Sequence, residues 1–333
     1  DYIRLIFSLT NFFDIFFAMR VFIIRLNKNQ VSIIKIMKKK LKFIAIFNSK
    51  AGNGRNRKLI NSVVELVKKN HEIEVFETQS KIEAKLIFKK ISEKNFDRLV
   101  VIGGDGSMFF TINEMINNNM DDKPIAYIPA GTANILKFET RIENNTQGIY
   151  QVLISDKLER VNLTKINEQY FFLMIGVGFD SQIINSINKN FKKYLGKFLF
   201  AYKVFQNFLF LNNKKINIKI NGEEINADWI LCTNSKYYAG SFSITNDTNI
   251  FKNNIIVYIF KDLTRIKLLQ YIWLILIKGD LSSSKSIIKK NLENIKISKI
   301  NKKFLTQADG ENFGYCDELI ISKTKKFINL LVP

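Results

Sequence analysis

The chain has 333 residues, 47% hydrophobic and 24% charged, and 51 basic against 30 acidic residues leave a formal charge of +21. That apolar content supplies a packed core for one large or two moderate domains, and three prolines with fifteen glycines exclude a fibrous or disordered chain. One histidine and two well-separated cysteines leave no room for a multi-histidine metal site, a CxxC pair or a disulfide framework, and they argue against a histidine-based triad.

The basic excess attracts polyanions in general, whether nucleotide, nucleic acid or an anionic membrane. The lysines are spread along the chain, and no zinc-finger, aromatic-basic or recognition-helix signature accompanies them, so nucleic acid is not the expected partner. His71, in "KKNHEIEV", is expected at a surface turn, and any general base is expected to be a carboxylate. Residue 1 is Asp, and "MKKKLKFIAIFNSK" begins at Met37. Residues 1–36 are expected to be an over-extended reading frame or a membrane-surface helix; the apolar run from Leu5 to Phe17 is too short and too interrupted for a span.

In chain order, "KFIAIF" (42–47) reads as a strand, followed by a helix with apolar spacing at Leu59, Val63, Leu66 and Val67. "EIEVFET" is a second strand. Ser80 with Glu83 three residues on forms a capping box that opens the next helix. "DRLVVI" and "PIAYI" are the third and fourth strands, with a helix between them. Strands alternating with helices predict a parallel sheet covered by helices, with ligands beyond the C-terminal strand ends. After about residue 158 the rhythm changes. "KINIKINGEEINADWILCTN" reads as two runs about an Asn221-Gly222 hairpin turn. "NNIIVYIF", "ENIKISKI", "KKFLTQA", "DELIISK" and "FINLLVP" extend a mostly antiparallel half. The expected fold is therefore an α/β N-terminal domain with a parallel sheet, plus a C-terminal β-sandwich-like domain. "LLQYIWLILIK" reads as a buried helix, too short to span a membrane. "NKNFKKYLGKFLFAYKVFQNFLFL" (188–211) reads as a core helix with a lysine stripe at Lys189, Lys193 and Lys197, or as a helix docked on an anionic bilayer.

Three glycine-bearing loops follow predicted strands. "FNSKAGNGRNRK" (47–58) lacks the third Rossmann glycine and the Gly-Lys-Ser/Thr of a P-loop. It is an ordinary turn, or it places backbone amides with Asn48, Ser49, Arg55 and Arg57 around a phosphate. In "IGGDGSMFF", Gly103, Gly104 and Gly106 leave a bare approach, and Ser107 with a helix N-terminus offers donors. Asp105 could orient a hydroxyl, hold a magnesium-bound water or fix the loop. "IPAGTANIL" (128–136) repeats the strand, glycine turn and helix, with Thr132 and Asn134 at the helix start. Three such loops at one sheet edge suit a large polyanion such as a nucleoside triphosphate.

"GGDGS", then "PAGTAN", then "DGE" (309–311) near the C-terminus is the order found in the diacylglycerol kinase and sphingosine kinase catalytic family, which the chain resembles from about residue 41 to its end. "FNSKAG", "GVGFDS" (176–181), "YYAGSFSITND" (237–247) and "FINLLVP" support the resemblance. It implies an NAD-kinase/diacylglycerol-kinase-like nucleotide-binding domain over 37–158 and a lipid-substrate domain over 159–319, with a segment from about 320–333 returning to the first. It implies an ATP- and Mg²⁺-dependent lipid kinase acting on a diacylglycerol-like or sphingoid-like hydroxyl. Asn48, Gly104, Asp105, Gly106, Ser107, Gly131, Thr132 and Asn134 would bind ATP. Glu311 would be the general base with Asp105 close by. Asp180 would lie near the lipid, and Asp247 in the metal-water network. A cytoplasmic enzyme held peripherally at the inner membrane face is expected, and a homodimer is compatible with the reading. Phe109-Phe110 stand where many relatives have Asn-Glu, and Ile135 where "GT-x-N-D" has Asp. A catalytically impaired lipid- or nucleotide-binding relative, or an NAD kinase lacking its Thr-Pro-Thr-Gly-Ser-Thr-type segment, are the alternatives.

Overall fold

A computed structural model describes residues 40–49, 56–186 and 215–333. The readings made on residues 1–36, on Lys50–Arg55 and on the 188–211 helix lie outside these described residues. Residues Lys42–Pro333 form one compact unit.

The first half alternates as β1 (Lys42–Asn48), α1 (Arg57–Lys68), β2 (Glu72–Thr78), α2 (Lys81–Ile91), β3 (Arg98–Gly103), α3 (Asp105–Asn117), β4 (Ile125–Pro129), α4 (Ile135–Thr140) and α5 (Thr146–Ile154). β3 and β4 are buried along their whole length, and β1 is buried from Phe43 to Phe47. Continuous apolar runs are what a parallel strand covered on both faces requires. α1 buries Ile60, Val63 and Val67, one turn apart on a single face. Ser80 accepts the Glu83 N–H at 3.1 Å, while Glu83 accepts the Gln79 N–H at 2.8 Å, so the capping box opens α2. The strands lie in the order β2-β1-β3-β4, all parallel, with Phe47 beside Ile102 and Ile102 beside Ile128. Their C-terminal ends are therefore level, so the chain leaves β1, β3 and β4 along one edge of the sheet.

The second half contains β5 (Leu158–Ile166), β6 (Gln169–Phe171), β7 (Met174–Gly178), α6 (Phe179–Ser186), β8 (Ile216–Ile220), β9 (Glu223–Ala227), β10 (Trp229–Thr233), β11 (Tyr237–Tyr238), β12 (Phe242–Ser243), β13 (Ile256–Phe260), α7 (Arg265–Trp273), β14 (Ile287–Asn291), β15 (Asn294–Lys299), β16 (Phe304–Ala308), β17 (Glu311–Cys316) and β18 (Glu318–Leu331). Six strands, β14-β13-β10-β7-β16-β17, form an entirely antiparallel sheet. Asn221 and Gly222 both take positive φ, 51° and 92°, as a two-residue hairpin needs.

Several sequence expectations are revised. "KINIKINGEEINADWILCTN" makes three strands rather than two, because Asp228 separates β9 from β10, which pair into different sheets. The runs "DELIISK" and "FINLLVP" belong to one long strand, β18, whose register against β5 shifts between Lys323 and Phe327. β18 pairs antiparallel with β5 and β15, and Leu330 pairs in parallel with Ile125 of β4. His71 is buried rather than on the surface. Its N–H bonds the Val67 carbonyl at 2.9 Å, which folds the turn back and sets the ring edge-on to Phe43 and beside Tyr150. The "LLQYIWLILIK" helix is buried on one side only: Leu268, Tyr271 and Leu274 face inward, while Leu269, Trp273, Leu276 and Ile277 are exposed.

Candidate active site

The bare turn "GGDGS" ends β3 and opens α3, with Gly104 in the N-cap position in extended backbone. A side chain on Gly131 would collide with the Gly104 Cα, so the second and third glycine loops touch backbone to backbone. Asn134 fixes the third loop. Its Oδ1 accepts the Gly131 N–H at 2.9 Å and the Tyr127 hydroxyl at 2.9 Å, and its Nδ2 donates to the Gly131 carbonyl. It does so from a left-handed backbone, φ 50°, which asparagine tolerates.

Asp105 is buried, and each oxygen accepts a backbone N–H from the start of α4: Oδ2 from Ile135 at 2.9 Å and Oδ1 from Leu136 at 3.1 Å. One aspartate thus opens α3 and locks the next loop, and its charge faces the positive end of α4. Of the roles left open by the sequence, loop fixation is the one these contacts supply. Ile135, where an aspartate was expected, is buried apolar surface that contributes its N–H to this lock.

Glu311 reaches the same place from the other sheet. Its carboxylate packs directly against Gly106 in the first turn of α3, where any side chain would strike it. Lys81 at the start of α2 lies 3.7 Å from Glu311 Oε2. The structure therefore brings Gly104, Asp105, Gly106, Gly131 and Glu311 together across some 200 residues of sequence, with Ser107 beside Gly103. Thr132 and Ala133 sit partly exposed in the third loop. Asn48 ends β1, level with Thr78, and the following Ser49 hydroxyl donates to the Thr78 carbonyl at 3.0 Å. Arg57, for which the sequence left open a turn or a phosphate contact, forms a two-pronged pair with Glu77 at 2.7 and 2.8 Å.

The turn that delivers Glu311 is held from below. Asp309 is buried with φ 47°, and its carboxylate accepts the N–H groups of Phe172, Leu173 and Met174 at 3.1, 3.0 and 2.8 Å. Gln307 accepts the Gly310 N–H at 2.9 Å and donates to Asp180 Oδ2 at 3.0 Å. Asp180 is fully enclosed beneath Gly176 and bonded to Ser181, so it acts through Gln307 on the turn. Burial pushes the carboxyl groups of both Asp180 and Asp309 up to about 7, against the pull of their hydrogen bonds; the nearby Asp105 raises Asp309 further. Asp247 is not among these groups. It pairs with Lys289 of β14. Among the described residues no three His, Cys, Asp or Glu side chains lie together as metal ligands.

Some of the machinery gave no sequence signal. Glu139 of α4 is buried and accepts the Ser235 hydroxyl at 2.7 Å and the Lys236 N–H at 2.6 Å, fastening the third loop to the antiparallel half; burial raises its carboxyl. Its partners are almost a hundred residues away, which no local pattern reveals. Phe109 is buried, and Phe110 packs edge-on against Phe88 of α2, 6.1 Å between centroids. Asn113 lies one turn further along and clamps Tyr170 through its N–H and its carbonyl, at 2.8 Å each.

A parallel sheet whose glycine turns are met by an acidic turn from an antiparallel sheet defines a recognisable two-sheet class. A crystal structure of a candidate diacylglycerol kinase from Bacillus anthracis str. Sterne superposes on it with a TM-score of 0.73 at 21% identity, covering 89% of this chain and 97% of that one. Residues 42–166 match the Diacylglycerol kinase catalytic domain. It is 29% identical over 173 residues to a candidate lipid kinase of Staphylococcus carnosus (strain TM300), covering 50% of this chain and 55% of that protein. It is 26% identical over 191 residues to a diacylglycerol kinase of Staphylococcus aureus (strain bovine RF122 / ET3-1), covering 56% and 59%. The matches thus span a little over half the length of these relatives.

Proposed function

We propose that the protein is an ATP-dependent lipid kinase that transfers the γ-phosphoryl group to the hydroxyl of a diacylglycerol-like or sphingoid-like lipid. The observation that carries this reading is the Glu311 carboxylate seated against Gly106 on the first turn of α3, where the glycine turns after β3 and β4 touch. Phosphoryl transfer needs positioning and charge neutralisation more than covalent help from the protein. The bare backbone at Gly104, Gly106 and Gly131 lets polyphosphate approach amides at a helix start. Asn48, Ser107, Thr132 and Asn134 are assigned as further polar contacts to the nucleotide. Asp105 and Asn134 hold the loops in one shape, so little reorganisation accompanies binding.

The acceptor is a neutral alcohol, and Glu311 is the base that receives its proton. As the lipid oxygen bonds to the γ-phosphorus, the bond from that phosphorus to the β,γ-bridging oxygen breaks and ADP leaves. Magnesium, arriving on the nucleotide, offsets phosphate charge. Lys81 Nζ lies 3.7 Å from Glu311 Oε2, beside the carboxylate assigned as base.

Incubating purified protein with labelled ATP and separate micelles of diacylglycerol, sphingoid base, ceramide and undecaprenol tests this. Label is expected in one lipid class. Label in none, with ATP still bound, favours the binding relative, and label in NAD selects that kinase instead. Glu311→Gln should lower transfer by about 10²- to 10⁴-fold while sparing ATP binding; a fully active variant would refute its role as base.

A further inference from the structure

α7 continues from Trp273 into a π turn, Leu274–Lys278, closed by the Gly279 N–H on the Leu274 carbonyl at 2.9 Å. Its inner face is anchored. Tyr271 meets Phe260 at 5.2 Å between centroids, and Phe260 stacks on Trp229 at 4.0 Å. Its outer face is apolar, and among the described residues nothing covers it. Ile266, Leu269, Trp273, Leu276 and Ile277 recur at three- and four-residue spacing, with Ile266 80% and Ile277 68% exposed. A scattered exposed leucine needs no explanation, but a contiguous stripe of five large apolar side chains on a rigid helix does.

The stripe adjoins the candidate site. The β11–β12 hairpin links the two: Gly240 lies against the Ala133 carbonyl of the third glycine loop, and Tyr237 packs on Phe138 of α4. At the other end, the Ser243 hydroxyl donates to the Gly279 carbonyl at 2.7 Å, and the Leu281 N–H bonds Ile244 at 2.9 Å. Phe242, on this hairpin, is also exposed. The charges within the stripe's own segment have one sign. From Arg265 to Lys278 the segment holds Arg265, Lys267 and Lys278 and no acidic residue. The flanking acids are occupied, Asp262 by Lys215 and Asp280 by the Ser282 N–H.

We infer that the outer face of α7 with its π turn, extended by Phe242, docks on an anionic lipid bilayer and sets the glycine loops at the membrane surface. An apolar face with a tryptophan and a basic rim suits the headgroup–acyl boundary. A second copy of the chain fits worse, because a two-fold contact through this stripe brings the same basic rim against itself in a molecule of charge +21. An anionic surface offsets that charge. The inference takes from the kinase reading only that the acceptor lies in a bilayer.

The test uses the full chain with phosphatidylcholine vesicles, with and without 40 mol% phosphatidylglycerol on the order expected to saturate basic contacts. Wild type should co-sediment with the anionic vesicles, and Trp273 should be quenched by brominated acyl chains while buried Trp229 is not. The exposed-site double substitution Leu269→Glu/Ile277→Glu should lower vesicle partitioning about tenfold or more, with thermal unfolding unchanged. Unchanged partitioning in that variant, or pelleting without quenching of Trp273, overturns the inference. So does a wild-type dimer that the variant converts to monomer without loss of vesicle binding. With short-chain diacylglycerol free in solution, variant and wild type should transfer phosphate equally, while transfer to vesicle-borne lipid falls in the variant. Absence of transfer by wild type in both formats refutes the kinase reading and leaves the partitioning result standing.

Discussion

The parallel sheet meets the site with bare backbone, at Gly104, Gly106 and Gly131, whereas the antiparallel sheet meets it with acids: Asp180, Asp309 and Glu311. On the first side, side chains are absent because loops approach one another and α3 starts too closely to admit a Cβ. On the second, three carboxylates lie within one small region yet do different things. Asp309 is consumed by three backbone N–H groups, Asp180 by Gln307 and Ser181, and only Glu311 reaches across to the glycines. Acidic residues two positions apart in "DGE" therefore divide into a fastener and a carboxylate set against the glycine turn. Their burial, not their chemistry, separates them.

This division can be broken at the fastener first. Asp309→Ala leaves three buried N–H groups without a partner and should cost about 5 kcal/mol. Urea unfolding would measure it, and a loss under about 1 kcal/mol would mean that the turn does not depend on Asp309. The second test is pH. The Asp180 carboxyl stands at about 7 in the folded protein against an ordinary value of 3.8. The folded state then holds a proton that the unfolded state has released, so stability falls as pH rises from about 4 to about 7, by up to about 4 kcal/mol. Asp309 also stands at about 7, so Asp180→Asn should remove only part of the slope in that window; an unaltered profile removes Asp180 as a source.

On the glycine side, Gly131→Ala forces apart the two loops that touch and should cost about 2 kcal/mol, with nucleotide affinity falling alongside. Isothermal titration with an ATP analogue separates the two losses, and unaltered affinity would place the nucleotide elsewhere. The smallest effect is expected at the seam between α3 and β6. Asn113→Ala removes two bonds to Tyr170 and should cost about 1 to 2 kcal/mol without changing turnover. A selective loss of activity there would move Asn113 from the seam into the site.

Much of the first sheet was legible locally. "FIAIF", "LVVI" and "IAYI" are uninterrupted because both faces of a central parallel strand are covered, and Ser80 with Glu83 announces its own helix start. The antiparallel half was harder to read. The break at Asp228 and the fusion of two runs into β18 depend on which strand each segment pairs with, and pairing is non-local. His71 reads as polar and turn-like, but the path of the chain past Val67 puts it under Phe43 and Tyr150. The apolar run ending at Lys278 looks internal by composition. Only the orientation of α7 shows that about half of it faces outward, since hydrophobicity reports which residues could be buried and not which partner is present to bury them.

The sequence by itself determined the parallel α/β rhythm, the order "GGDGS", "PAGTAN", "DGE", and the carboxylate character of any base, because these follow from periodicity and from residue type at fixed spacing. Tertiary structure decided which carboxylates remain available. Asp105 spends both oxygens on α4, Asp309 is enclosed by β6 and β7, Asp247 pairs with Lys289, and Glu311 arrives at Gly106. Hydrogen bonding and desolvation set that outcome, and both depend on neighbours brought from distant parts of the chain.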